Sequence, residues 1–294
     1  MSSAVLVIGS TGTVGGTVVP EVMSRGGKVR ALVRSKERGQ QLPEGVELHV
    51  GDLTDMRSVR AALEGVQSAF YVSPHVDEEV EIAEVFTAAC EAAGVRLVFG
   101  GFHIMDPETR KNFRQLVPSY QGKLKVGELV FESDTNPAIL NLTGFAQNDA
   151  PFREDILAGV YPLPIHEDGA NRIDLRDSGE IAAKILLNPD FPGGWYGLNG
   201  AGSFNGQQAA DLWGEALGRP MQYLGDDTEA WKAVFEKRLT GRKLADWLMS
   251  YDNFVSRYPV PTEQALVETT TELLGRAPRS YSDYVRDMAK RWQV

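Results

Sequence analysis

The chain has 294 residues, a formal net charge of −10, 43% hydrophobic and 24% charged residues, and a single cysteine. That length suffices for one large domain or two joined ones with a sizeable core, and the negative balance argues against DNA or RNA as a partner. The lone Cys90 excludes an internal disulfide and suits a reducing compartment. The Met1-Ser2-Ser3 start lacks the basic region of a signal peptide, and no run approaches the roughly 18 apolar residues of a membrane span, so a cytoplasmic protein is expected.

Residues 4–8 form a short, wholly apolar run, as expected of a strand buried on both faces. A glycine-rich stretch, 9–16, interrupts it. Residues 14–23 then carry Val14, Val18, Val22 and Met23 at helical spacing. Further strands are expected at 28–33, 46–50, 68–72, 96–99 and 138–142. Helices are expected at 55–63, 77–93 (with Gly94 as its stop) and near 120–131, the last preceded by a polar loop. Repeated βαβ units of this length imply an α/β fold, a doubly wound parallel sheet of Rossmann type.

The pattern changes near Asn148. Pro162, Pro164, Pro189 and Pro192 mark loops, a helix is expected at 178–187, a strand at 195–198, and a helix at 207–217. Beyond Thr228 the sequence reads as helical and is rich in aromatic residues, from Trp231 and Trp247 to Tyr284 and Trp292. The predicted division is a Rossmann-type domain over 1–148 and a smaller, mainly helical lobe over 149–294. The boundary is soft, with the chain crossing back to the sheet.

The segment Gly9-Ser10-Thr11-Gly12-Thr13-Val14-Gly15-Gly16 follows the first strand and opens the first helix. A dinucleotide diphosphate needs this arrangement. Its phosphates approach the backbone closely, side chains there would block them, and a helix start offers unpaired N–H groups and a positive dipole end. The third glycine lets helix and strand pack tightly. The spacing is G-x-x-G-x-x-G. At the end of the second strand, where an NAD-binding protein usually carries a carboxylate, Val33 is followed by Arg34, Lys36 and Arg38. Cations there attract the 2′-phosphate of NADP(H), which arginine can grip bidentately.

These residues resemble the NmrA-like family of atypical short-chain dehydrogenases, and the likeness runs through nearly the whole chain. Gly51-Asp52-Leu53 resembles the family's adenine-binding segment, and Ser73-Pro74 the place where the cofactor's ribose and phosphates pass. Tyr120-Gln121-Gly122-Lys123 resembles the start of the helix with a cofactor-facing lysine, and Phe145-Ala146-Gln147-Asn148 the aromatic-x-x-Asn segment. Asp177-Ser178-Gly179-Glu180-Ile181-Ala182, Trp195-Tyr196-Gly197-Leu198 and Leu217-Gly218-Arg219-Pro220 resemble later family segments. The resemblance implies that Lys123 bonds the nicotinamide ribose and that residues 145–148, Phe145 and Asn148 among them, close on the nicotinamide.

There are also departures. Standard short-chain dehydrogenases pair Tyr-x-x-x-Lys with a serine at the end of the fifth strand, the tyrosine donating a proton and the serine steadying the oxygen. Here Tyr120 and Lys123 are three apart, and the strand ends Gly100-Gly101-Phe102-His103. Tyr120 and His103 are the candidate proton donors, His103 because it follows a strand at the ligand-binding edge of such sheets. His75 could flank the same crevice. Four scattered histidines without a cysteine cluster give no metal site. Glu78, Glu79, Glu81 and Glu84 read as the solvated face of a helix.

Two functions compete. One is an NADPH-dependent reductase passing hydride to a small apolar or aromatic acceptor such as a quinone, enone or ketone. The other is a non-catalytic NADP(H) redox sensor acting through a protein partner.

Overall fold

The computed structural model describes residues 4–102, 107–142 and 144–293. In chain order the elements are β1 (Ala4–Val7), α1 (Gly15–Ser24), β2 (Lys28–Val33), α2 (Lys36–Gly39), β3 (Glu47–Val50), α3 (Met56–Leu63), β4 (Val66–Tyr71), α4 (Glu79–Ala93), β5 (Arg96–Gly101), α5 (Pro107–Leu116), α6 (Gln121–Phe131) and β6 (Ala138–Leu142). There follow β7 (Gly144–Phe145), α7 (Arg153–Leu157), β8 (Val160–Tyr161), β9 (Ala170–Ile173), α8 (Leu175–Leu186), β10 (Gly194–Leu198), β11 (Ser203–Phe204), α9 (Gly206–Leu217), β12 (Gln222–Tyr223), α10 (Thr228–Arg238), α11 (Gly241–Ser250), α12 (Gln264–Leu274) and α13 (Tyr281–Trp292). The chain divides into two compact units. The first comprises Met1–His103, Gly122–Leu142 and Leu175–Leu198, and the second Ile104–Gln121, Thr143–Asp174 and Asn199–Val294.

In the first unit, seven described strands form one sheet in the order β10-β6-β5-β4-β1-β2-β3. Its pairings are all parallel, with Val5 opposite Val29 of β2 and opposite Ser68 of β4. This is the expected Rossmann-type sheet. β1 is buried along its whole length because both faces are covered, which is why its sequence is uninterrupted apolar. Val18, Val19 and Val22 bury one side of α1, and Phe86, Ala89 and Cys90 that of α4. Gly94, at φ +63°, takes the left-handed conformation that ends α4. Chain order reverses at β1, which lies between β2 and β4. In a doubly wound sheet that reversal opens a crevice at the carboxyl ends of the strands.

Residues 175–198 return to this unit as α8 and β10. α8 lies against α1, and a Cβ at Gly179 would stand 2.6 Å from the Thr17 carbonyl oxygen. Gly179 therefore sets how closely the two helices approach.

The second unit holds a three-stranded sheet (β11-β9-β7), the pair β12-β8 and helices α5, α7 and α9 to α13. It is less purely helical than its sequence suggests. β9, Ala-Asn-Arg-Ile, carries no apolar alternation, yet every residue is buried. The polar ones are buried because they have partners. Asp149 is fully buried and accepts from Arg172 Nη1 at 3.2 Å, Tyr161 Oη at 3.2 Å and Trp213 Nε1 at 2.9 Å, and also from Tyr281 Oη. Burial pushes its carboxyl upward, opposed by Arg172 and these donors. Around this network pack Phe152, Trp213, Trp231, Phe235 and Tyr284. A second difference concerns the stretch before Tyr120, expected as a polar loop. It contains α5, which has little apolar character in sequence but buries Phe113.

Asp149→Ala leaves the Arg172 guanidinium buried without its counter-charge. Breaking such a pair costs about 3–5 kcal/mol, and chemical denaturation should show a lowered midpoint of that size.

Candidate functional site

A cleft of about 480 Å³ opens at the strand-order reversal, wholly within the first unit. Four strand ends build it. Ile8 to Gly15 follow β1, Arg34 and Arg38 follow β2, Gly51 to Thr54 follow β3, and Val72 to His75 follow β4. Such a volume is in the ordinary range for a small-molecule site.

The glycine turn forms one wall. Gly9 has φ +70°, and the Gly12 amide donates to its carbonyl at 2.8 Å, closing the turn. A Cβ at Gly15 would stand 2.4 Å from the Gly9 oxygen, so no other residue fits there without opening the turn. α1 begins at this point with Val14 as its N-cap, and Val14 supplies no side-chain bond to the first turn. Of its leading amides, Gly16 donates to the Gly12 carbonyl at 2.9 Å and Thr17 to the Val14 carbonyl at 3.1 Å, so what α1 presents to the cleft is chiefly its positive dipole end. A turn of this shape can cradle a phosphate ester. Thr11 and Thr13 lie on its lining, whereas Ser10 does not: it is buried, and its Oγ has no hydrogen-bond partner among the described residues.

At the β2 end the Arg34 side chain is 68% exposed, with Nε 3.9 Å from Asp52 Oδ2. Asp52 accepts from the Thr54 amide at 2.9 Å and from its hydroxyl at 2.8 Å. Those bonds, backbone first, and the Arg34 charge hold its carboxyl below the usual range, so it is ionised at neutral pH. The second cation on the lining is Arg38; Lys36 is not part of it. Ser35 caps the short α2 by accepting from the Arg38 amide, and the one-turn helix separates the two positions. With two arginines and one carboxylate on the lining, this end is net positive.

Ser73, Pro74 and His75 lie on the lining after β4, as do Asp52 and Leu53 after β3. Lys123, near the start of α6, is not itself on the lining but adjoins it through Ser73: its Nζ lies 3.1 Å from Glu79 Oε2 and 3.4 Å from Ser73 Oγ. Glu79 is therefore not on the solvated face of α4. It is 2% exposed, while Glu78, Glu81 and Glu84 are exposed. Spacing along α4 could not separate it from its neighbours, because its partner is on another helix.

The other expected residues fall elsewhere. Tyr120 ends a 3-10 turn, Pro118–Tyr120, in the second unit, with its ring edge-on to Phe113 at 6.0 Å. Phe145 is in β7, and Asn148 lies in the 3-10 segment Ala146–Phe152 with its side chain hydrogen-bonded to Tyr251; both belong to the second unit. His103 lies outside the described residues. The absence of a serine at the end of β5 has a steric basis. A Cβ at Gly100 would meet Phe70 Cζ at 2.6 Å, and one at Gly101 would meet Phe99 Cε1 at 2.2 Å. Aromatic rings occupy the space a side chain would need.

Comparisons with known proteins bear on the family and the fold. The model of the NmrA-like family matches residues 1–284. An NAD(P)H azoreductase from Xenophilus azovorans is 26% identical over 287 residues, covering 96% of each protein. An NADPH-dependent quinone oxidoreductase from Escherichia coli, solved with NADPH, superposes with a TM-score of 0.77 at 19% identity, covering 97% of this chain and 99% of that one. NmrA, a negative transcriptional regulator, superposes with a TM-score of 0.74 at 16% identity, covering 100% of both chains. The two structural likenesses establish the fold.

Gly15→Ala brings a methyl group against the Gly9 carbonyl. Overpacking of this kind costs about 1–3 kcal/mol, and a thermal or denaturant melt of the variant should show a loss in that range.

Proposed function

Since the chain belongs to the NmrA-like family, we propose that it binds NADP(H) in the cleft at the strand-order reversal and acts as a reductase on a small organic acceptor. The observation that carries the cofactor choice is the β2 end, where Arg34, with Asp52 as its counter-charge, and Arg38 line the cleft. A lone carboxylate there would repel a 2′-phosphate; two guanidinium groups attract it. The diphosphate rests on the amides of residues 9–15 and the positive end of α1. Gly51, Asp52 and Leu53 receive the adenine end, and Ser73 and Pro74 the riboses and phosphates. Lys123 donates to a ribose hydroxyl on the nicotinamide side.

When bound, the cofactor supplies a hydride. The chain's part is to bind and orient it and to keep the diphosphate neutralised. A quinone accepting that hydride needs one further proton to become a hydroquinone, and water can supply it, so the glycines at the end of β5 are no obstacle. A simple ketone needs a placed acid as the hydride arrives, and Tyr120 and His103 are the candidates for that role. The preferred acceptors are therefore quinones and other activated, apolar or aromatic acceptors. The azoreductase and quinone oxidoreductase likenesses support that class.

The second reading is an NADP(H) sensor that reports the cofactor's redox state to a protein partner. The filled space around Gly100 and Gly101 favours it, since no serine can steady an oxygen there. Anaerobic oxidation of NADPH with a quinone and azo-dye panel separates the two readings. Acceptor-dependent oxidation supports the reductase, and tight binding without oxidation by any acceptor supports the sensor.

Arg34→Ala should raise the Kd for NADPH by about tenfold or more, the scale of one charge-assisted hydrogen bond, and leave NADH binding nearly unchanged. Fluorescence titration with both nucleotides checks this. Equal weakening of the two would remove the 2′-phosphate assignment.

A further inference from the structure

Glu79 is the one glutamate at the start of α4 that is withdrawn from solvent, and the structure surrounds its carboxylate on each side. Oε2 receives Lys123 Nζ at 3.1 Å and Ser73 Oγ at 3.4 Å. Oε1 lies over the backbone of α6 at Gly122, where a Cβ would stand 2.1 Å from it. The carboxylate thus sits at the first turn of its own helix and against the first turn of α6, both positive dipole ends. Behind it, Tyr71 is fully buried. Burial and the nearby Glu79 charge push its hydroxyl far above the ordinary range, and that hydroxyl makes no hydrogen bond to the carboxylate among the described residues.

We propose that Glu79 is the positioning residue for Lys123, holding its ammonium against Ser73 on the wall of the cleft. The inference rests on the reading of the cleft as an NADP(H) site. A lysine side chain has four rotatable carbons and, unrestrained, spreads its charge over a wide volume. The Lys123 side chain is 18% exposed, and Glu79 and Ser73 are its partners among the described residues. Two of its three N–H bonds are directed at them, and the third is free to meet a hydroxyl of the bound nucleotide. A buried ion pair of this kind adds less to stability than an apolar pair of the same shape. Its use is to fix one geometry. Gly122 belongs to the same device, because any larger residue would displace the carboxylate.

The test compares NADPH with adenosine 2′,5′-bisphosphate, which carries the adenine end and the 2′-phosphate but no nicotinamide ribose. Both are titrated into the full chain by calorimetry, with no acceptor present. In Glu79→Gln the Kd for NADPH should rise by about tenfold, the scale of one charged hydrogen bond, while the fragment binds as to the unaltered protein. Lys123→Met should show the same selective loss, and the double variant should lose no more than either single one, because the two act as a unit. If Glu79→Gln does not fold, Gly122→Ala gives the same comparison by displacing the carboxylate. Equal weakening of NADPH and fragment, unchanged NADPH binding, or additive losses would overturn the positioning role. Failure of the unaltered protein to bind NADPH would overturn this role together with the reading beneath it.

Discussion

The close approach of backbone to backbone at Gly9 and Gly15 governs the rest of the first unit. A Cβ at Gly15 would lie 2.4 Å from the Gly9 carbonyl, so the turn closes only because none is there. Closing it seats the start of α1 directly over the end of β1. α8 is then seated on α1 through a second glycine contact, at Gly179. The same closure sets the positive dipole end of α1 at the crevice made by the reversal of strand order. Packing and binding thus share one constraint. A residue type chosen for tight packing is also the one that lets a phosphate reach the backbone.

Two buried ion pairs play a complementary part. Glu79 with Lys123 fixes a cation beside Ser73 in the first unit, and Asp149 with Arg172 fixes β9 to the segment after β7 in the second. Neither is best understood as a source of net stability, since desolvation offsets most of the attraction. Each instead penalises alternative arrangements, because a misplaced partner would leave a charge buried and unpaired. The second pair is reinforced by Tyr161, Trp213 and Tyr281, so the core of that unit is a polar network wrapped in aromatic rings.

What could be read from the sequence follows from how local the cause is. β1 is legible because burial on both faces demands an unbroken apolar run. The glycine turn is legible because its spacing and its place between strand and helix are both local. Arg34 is legible because it follows the last residue of β2. Where the cause lies far along the chain, the sequence is mute. Glu79 looks like its exposed neighbours because its partner stands 44 positions away. β9 does not look like a strand because Asn171 and Arg172 are buried by partners elsewhere, Gly200 and Thr262 for the first and Asp149 for the second. Lys36 reads in sequence as a cleft residue beside Arg34, but the one-turn helix capped by Ser35 leaves Arg38 there instead. The missing serine after β5 was visible as a fact. That Phe70 and Phe99 fill the space was not.

The central claim is that the turn between β1 and α1, with the end of β4, holds a dinucleotide. Hydrogen–deuterium exchange of the full chain with and without saturating NADPH tests it directly, because it reports which amides the ligand covers. NADPH bound there slows exchange at residues 9–16 and 72–75, with a smaller effect at 34–38. Unchanged exchange at the glycine turn under saturating NADPH, or protection confined to other segments, would contradict it.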